Sequence, residues 1–250
     1  MKKKLVTVII PYFKKKFFFK QSILSVTNQT YKKLEIIVIY DDDNLEDLDF
    51  IKKICLRDKR IKLLINKKNI GAGLSRNKGI NISKGSFIAF IDADDRWKSN
   101  KIDFQLKYMI KKNIYCSHTS YKIIDEKNNL KSHRIARDFF EEQSLLKSCD
   151  IGLSTVMINK SVLSKNLRFS DLQTKEDFLL WVKILKKKKY FFGIKNSLTY
   201  WRKTNNSLSS STFQKLKDGF KLYNHYLKFN FIKSIYFLLV LSINYMKKND

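Results

Sequence analysis

Two near-continuous apolar runs that each end in a cluster of aspartates constrain the fold of this chain more than any other feature. Leu34 to Tyr40 runs into Asp41, Asp42 and Asp43, and Phe87 to Ile91 runs into Asp92, Asp94 and Asp95. A run without polar alternation reads as a strand buried on both faces. Leu5 to Ile10 is a third such run, and Ile61 to Ile65 a fourth. Helical patterns fall between them, through Ile23 to Thr27, near Asp47 to Leu56, and across Gly71 to Ile82. Strands alternating with helices predict an α/β fold with a mostly parallel central sheet flanked by helices. Ligands in such sheets bind where the carboxyl ends of the strands converge, which is where both acidic clusters fall.

Downstream, Asn100 to Lys112 reads as a helix, Ile114 to Ile124 as extended, and Asp125 to Asp138 as a loop or hairpin. A helix is expected at Glu141 to Ser148, a strand at Leu153 to Ile158, and an amphipathic helix at Lys175 to Leu185. A chain of 250 residues can bury one sizeable core. The expected organisation is therefore a catalytic domain over residues 1–210 and a C-terminal helical tail over 211–250.

The charge is the second constraint. Fifty-one lysines and arginines against 23 acidic residues give a formal charge of +28, which favours an anionic partner: nucleic acid, a lipid surface or phosphates. The lysines recur in short runs, at Lys2 to Lys4, Lys14 to Lys16 and Lys186 to Lys189, as a general compositional bias would produce. Cys55, Cys116 and Cys149 are odd in number and widely spaced, which argues against a disulfide framework or a zinc site. The apolar stretch at the N-terminus is too short for a signal peptide. Ser234 to Met246 is apolar but shorter than the roughly 20 residues that span a bilayer. A reducing, cytoplasmic setting is expected.

The segment Phe90-Ile91-Asp92-Ala93-Asp94-Asp95 delivers a DxD motif from a strand into a loop. Carboxylate oxygens suit a hard divalent cation, Mn2+ or Mg2+, able to bridge the phosphates of a nucleoside diphosphate. An isolated DxD is more often a solvated acidic turn, so its neighbours decide the reading.

Those neighbours occur in order. Val6 to Tyr12 (VTVIIPY) is followed by Ser22 to Tyr31 (SILSVTNQTY), Glu35 to Asp42 (EIIVIYDD), Asn69 to Ile80 (NIGAGLSRNKGI) and Gly85 to Phe90 (GSFIAF). Across most of residues 5–205 the chain resembles the inverting nucleotide-sugar glycosyltransferases of family two, which have the GT-A fold. The resemblance implies a metal-dependent transfer of a sugar from a UDP- or dTDP-linked donor to an acceptor hydroxyl, in synthesis of bacterial surface polysaccharide or lipopolysaccharide. Asp94 is implied as principal metal ligand and Asp92 as a metal or ribose contact. Asp42 would accept the imide N–H of uracil or thymine, a pairing its chemistry permits. Pro11, Asp41, Arg76 and Asn77 complete the implied nucleotide site, although an exposed arginine on a helix is an equal alternative for Arg76. Gly71 and Gly73 allow a tight entry to the helix that carries the pair. Where the family has Gly and Ser after its second aspartate, Asp43 and Asn44 stand here.

The family's Glu-Asp pair, followed four positions later by Trp, matches Glu176, Asp177 and Trp181. Inversion needs one carboxylate to take the acceptor's proton as its oxygen attacks the anomeric carbon, and Asp177 is assigned that role. Glu176 would bind or orient nearby groups. Acidic residues in a first helical turn also oppose the helix dipole without any catalytic role. Trp181 is either an acceptor platform or core. The segment Tyr200 to Ser209 resembles a family loop near the diphosphate, in which Arg202 would clamp phosphate and the usual histidine is replaced by Lys203 and Thr204. His118, His133 and His225 stand in no metal-ligand spacing.

The aromatic, lysine-bearing tail can lie in a membrane interface or pack on the catalytic domain or a second copy. A glycan or lipid-linked acceptor is implied, with no nucleic-acid partner. Two alternatives stand against this reading. A sugar nucleotidyltransferase would need a glycine-rich loop where Tyr12 to Lys16 has none, and a basic nucleic-acid-binding protein would rest on charge alone.

Overall fold

The computed structural model describes residues 3–204 and 211–247. Four strands form the parallel half of one sheet: β1 (Val6–Tyr12), β2 (Leu34–Tyr40), β3 (Ile61–Ile65) and β4 (Phe87–Phe90), in spatial order β3-β2-β1-β4. The connecting helices are α1 (Lys16–Thr27), α2 (Leu45–Cys55) and α3 (Ala72–Ile82). β1 pairs in parallel with both β2 and β4, so Tyr12, Tyr40 and Phe90 bring their following loops to one edge.

Both faces of this half are covered, which explains the unbroken apolar runs. Ile9, Ile37, Ile39, Ile88 and Phe90 join one core with α3 and the C-terminal elements. Val8, Ile10, Ile36, Val38 and Ala89 join a second core with Phe19 and Ile23 of α1, Ile51 of α2 and Ile102 of the later helix α4 (Lys101–Lys111). The alternation of faces along each strand is the period of two that the backbone imposes.

Beyond β4 the sheet becomes mixed. Two-residue β5 (Arg96–Trp97), β6 (Cys116–Ile124), β7 (Leu130–Arg134), β8 (Met157–Asn159) and β9 (Phe191–Arg202) continue it in the order β4-β8-β6-β9-β5, with β7 as a hairpin partner of β6. β8 runs antiparallel to β4 and β6, whereas β9 runs parallel to β6 with irregular register. The expected strand at Leu153 to Ile158 is a 3-10 turn at Leu153–Thr155 followed by β8, because Ser154 and Thr155 leave the ladder to bond elsewhere. The hairpin expected within Asp125 to Asp138 is β7.

Short α5 (Glu142–Leu146) packs against α6 (Glu176–Lys186), whose residues Phe178 to Val182 are buried without a break. Trp181, 0% exposed, meets Phe90, Phe169 and Phe191, so it belongs to the core and not to a surface platform. The tail forms α7 (Thr212–Lys221), a π-helical turn at Leu222–Tyr226 and α8 (Phe231–Met246). Phe237 and Leu241 of α8 share the core of α6, while the opposite face of α8 is exposed. Trp181→Ala is expected to cost about 3–5 kcal/mol in urea unfolding, whereas Trp181→Phe, keeping a ring among three rings, should lose less than half of that.

Candidate active site

The loops at the carboxyl edge are stitched to one another by Asp41 and Asp42. Asp41 is 2% exposed; its Oδ1 accepts the Ile70 N–H and the Asn66 amide, and its Oδ2 accepts the Gly71 N–H at 2.9 Å. That carboxylate therefore shapes the turn into α3, in which Gly71 takes φ +87°, a conformation glycine adopts without a Cβ penalty. Asp42 accepts the backbone N–H of Lys14 and of Asp43, both at 2.9 Å, and so pins the loop after β1. Half-buried Phe13 stands in that loop. Asn44, where the family has a small residue, caps α2 by accepting the Asp47 N–H at 3.0 Å.

The DxD loop follows β4. Arg76, on α3 and 3% exposed, donates from Nη2 to Asp92 Oδ1 at 2.7 Å and from Nη1 to Glu176 Oε1 at 2.6 Å. One guanidinium thus ties the DxD loop to the first turn of α6, where Glu176 and Asp177 lie. The approach is close: a Cβ on Gly73 would stand 2.4 Å from the Ser170 carbonyl and 3.0 Å from Glu176 Cγ. Asn77 clamps the same segment by exchanging hydrogen bonds with the backbone of Phe169 at 2.9 and 3.0 Å. Farther along, buried Asp218 of α7 accepts from the Thr174 N–H and hydroxyl, fixing the chain three residues before Asp177.

Negative charge accumulates here. Burial and the neighbouring Asp92 push the Asp94 carboxyl up, while Lys15, at 2.9 Å, opposes the shift. Asp95 is fully buried and pushed well up by burial and by the charges of Asp94 and Asp92. Burial raises Glu176 against the pull of Arg76. Asp177 is half-buried, and burial followed by the Glu176 charge lifts its carboxyl to about 7; Arg76 and the Phe178 N–H, 2.7 Å from Oδ1, pull the other way.

These carboxylates fit a hard divalent cation, because crowded buried aspartates are relieved by positive charge and offer only oxygen ligands. Among the described residues no cluster of three or more acidic, His or Cys side chains could hold a metal by itself. Any coordination shell there would draw on further oxygens, from backbone carbonyls, hydroxyls or a bound phosphate, beside the two carboxylates.

The structure brings Asp92, Arg76 and the Glu176-Asp177 pair together, with Asp94 two residues along the same loop as Asp92 and Asp41, Asp42 and the end of β1, including buried Pro11, on the same edge. It gives four residues other tasks than those expected, the first being Arg76, whose guanidinium is engaged by two carboxylates of the protein. Asn77 faces the backbone of Phe169 and not an open site. Arg202, 2% exposed, donates from Nε to the Asp94 carbonyl, from Nη1 to the carbonyls of Asp125 and Glu126, and from Nη2 to Gln21, so it is a strut beneath the DxD loop rather than a free phosphate clamp. Both oxygens of Asp42 already accept backbone N–H groups, so any base would share an acceptor in use. The loop expected after Thr204 extends into residues 205–209, outside the described residues. His118 is buried and bonded to the Arg137 carbonyl, and burial lowers it to about 4.

Lys15 and Asp218 were not singled out in the sequence. Lys15 sits within a run of lysines that compositional bias explains, and Asp218 on a charged helix with no motif around it. Only the fold distinguishes them from their neighbours.

A four-stranded parallel edge carrying two acidic loops, joined to a mixed half that supplies a third acidic site, is the architecture of a GT-A glycosyltransferase. The fold matches that of Staphylococcus aureus TarS, residues 1–349, in complex with UDP-GlcNAc, with a TM-score of 0.72 over 94% of this chain and 70% of that one at 16% identity. The model of glycosyl transferase family 2 matches residues 7–165, and the chain belongs to that family. It is 34% identical over 247 residues to the Escherichia coli UDP-Glc:alpha-D-GlcNAc-diphosphoundecaprenol beta-1,3-glucosyltransferase WfgD, covering 98% of this chain and 95% of the relative. An uncharacterized glycosyltransferase of Rickettsia bellii is 39% identical over 183 residues, but the chain spans only 26% of that protein's length.

Replacing Arg76 by Met would leave two carboxylates unpaired. Equilibrium unfolding at pH 7.5 should show a loss of about 3 kcal/mol or more. Adding Glu176→Gln should recover part of it, since one of the stranded charges is then gone.

Proposed function

We propose that this chain transfers a sugar from a UDP- or dTDP-linked donor to an acceptor hydroxyl with inversion, in assembly of a bacterial surface glycan on a lipid-linked acceptor. The observation that carries the reading is the Arg76 bridge between Asp92 and Glu176, since it holds a cation-binding loop and a candidate base against one another. The activity that names the Escherichia coli relative, glucosyl transfer from UDP-Glc to a diphosphoundecaprenol-linked sugar, supports the donor and acceptor classes.

Asp94, with Asp92, would hold Mn2+ or Mg2+, which supplies charge stabilisation to the departing diphosphate. Asp177 takes the proton of the acceptor hydroxyl as its oxygen attacks the anomeric carbon. The bond to the diphosphate breaks with its electron pair, and the nucleoside diphosphate leaves. A carboxyl lifted to about 7 suits this task, because it is both ionised at physiological pH and basic enough to accept a proton. Asp41 and Asp42 shape the loops around the base pocket. Arg76, Asn77 and Arg202 hold the loops in place around them.

The membrane side of the proposal rests on α8. Ile232, Tyr236, Leu239, Ile243 and Met246 are 46–80% exposed and form one stripe at intervals of four and three residues. Lys228, Lys233 and Lys247 stand near it, on a chain of charge +28. No described helix is long and apolar enough to cross a membrane. An apolar stripe edged by lysines instead lies in the headgroup boundary of an anionic bilayer.

Asp177→Asn is expected to lower kcat by about 10²–10⁴-fold with donor KM little changed. In the native enzyme kcat/KM should fall tenfold per pH unit below about 7 and level off above it. The same carboxyl binds its proton more tightly folded than unfolded, so its ionisation destabilises the fold as pH rises from about 4 to about 7. The Asn variant should therefore be more stable than wild type at pH 8, by about 1 kcal/mol after allowance for its partial exposure, and equally stable at pH 4. Full transfer activity in the variant would reject the assignment.

Co-sedimentation tests the tail. The chain should pellet with vesicles containing phosphatidylglycerol and less with phosphatidylcholine alone, and the triple change of Ile232, Leu239 and Ile243 to Ser should release it. Retention of the triple variant on anionic vesicles would leave charge alone as the attachment.

A further inference from the structure

Lys15 is the residue this site does not yet account for. It lies in the short loop between β1 and α1, and its Nζ stands 2.9 Å from Asp94 Oδ2 and 2.9 Å from the Thr204 hydroxyl. Its side chain is 19% exposed and that of Asp94 14%, so this is not a surface pair screened by solvent. The ammonium is bonded to the same carboxylate that the proposed function assigns to a divalent ion.

The backbone at Lys15 cannot move out of the way. Its carbonyl accepts the Phe18 and Phe19 N–H groups as α1 begins, and the preceding residue is held by Asp42 through its own N–H. Only the four-carbon stem is free to swing, and a lysine ammonium is a compact, rotatable cation on a flexible stem. A divalent ion and an ammonium on one carboxylate repel each other, so each weakens the other's hold on Asp94. A lysine displaced from a buried carboxylate needs another anion within reach of that stem. The diphosphate of a donor bound between the loops after β1 and β4 is such an anion.

We propose that Lys15 competes with the divalent ion for Asp94 and transfers to the donor's diphosphate when the ion takes its place, so that ion and nucleotide bind cooperatively. The inference rests on the reading of Asp94 as a cation ligand. Lys15 is in this view a positioning residue whose charge serves two partners in turn.

Mn2+ binding followed by electron paramagnetic resonance of the free ion, on the full chain with and without UDP, tests the exchange without measuring turnover. In the wild type, UDP should tighten Mn2+ by about tenfold or more, within the usual range of a coupling between two sites. Lys15→Met should bind Mn2+ alone about tenfold more tightly than the wild type, and the further tightening by UDP should be smaller than in the wild type. Lys15→Arg, which keeps the charge, should retain coupling. A Met variant with wild-type Mn2+ affinity and undiminished coupling overturns the proposal, as does one in which Mn2+ binding weakens with and without UDP alike, the mark of a merely structural lysine. Asp94→Asn separates this from the underlying reading: if it binds Mn2+ with UDP as the wild type does, the cation site itself is misplaced and the exchange falls with it.

Discussion

A buried arginine between two carboxylates is the interaction on which the rest of this site depends. Arg76 comes from α3, Asp92 from the loop after β4, and Glu176 from α6, so three segments far apart in sequence meet at one guanidinium. Its planar fork can serve two carboxylates in fixed directions, which a lysine could not do. Removing such a charge from a buried site strands both of its partners where these segments meet. Gly73 completes the constraint, because a side chain there would push α3 away from the Ser170 carbonyl.

Around that bridge the chain uses carboxylates in two different ways. Asp41 and Asp42 are engaged by backbone N–H groups and set loop shape, whereas Asp94, Asp95 and Asp177 resist ionisation because of burial and neighbouring carboxylates, Asp92 among them. The first kind is the ordinary way to satisfy buried N–H groups in turns. The second stores charge repulsion that a cation or a proton relieves, the pattern of a site built to bind positive charge and to move a proton. That stored repulsion lowers the stability of the fold and raises the usefulness of the cleft.

The parallel half of the fold was legible in the sequence because strands buried on both faces leave runs such as Leu34 to Tyr40 and Phe87 to Ile91. The mixed half was not. β9, with Lys195, Asn196 and Ser197 exposed or half-exposed in its middle, lacks an apolar run, and its register with β6 is irregular. Two-residue β5 has no pattern to read. In the site, the DxD loop and the Glu-Asp pair carried local signatures, but what Arg76, Asn77 and Arg202 touch depends on partners about 16 to 108 residues away. Lys15 shows the limit most clearly: one lysine among 51 basic residues acquires meaning only when its Nζ is found on Asp94.

The proposed transfer requires a cation-holding loop and a proton-accepting carboxylate to face one cleft and share one sugar. A crystal structure with Mn2+ and an intact nucleotide sugar, with the ion located by its anomalous scattering, measures this directly. The ion is expected on Asp94, between it and the diphosphate, and the anomeric carbon turned toward Asp177 with the acceptor space between them. An ion bound away from the DxD loop, or a sugar whose anomeric carbon faces away from α6, would contradict it.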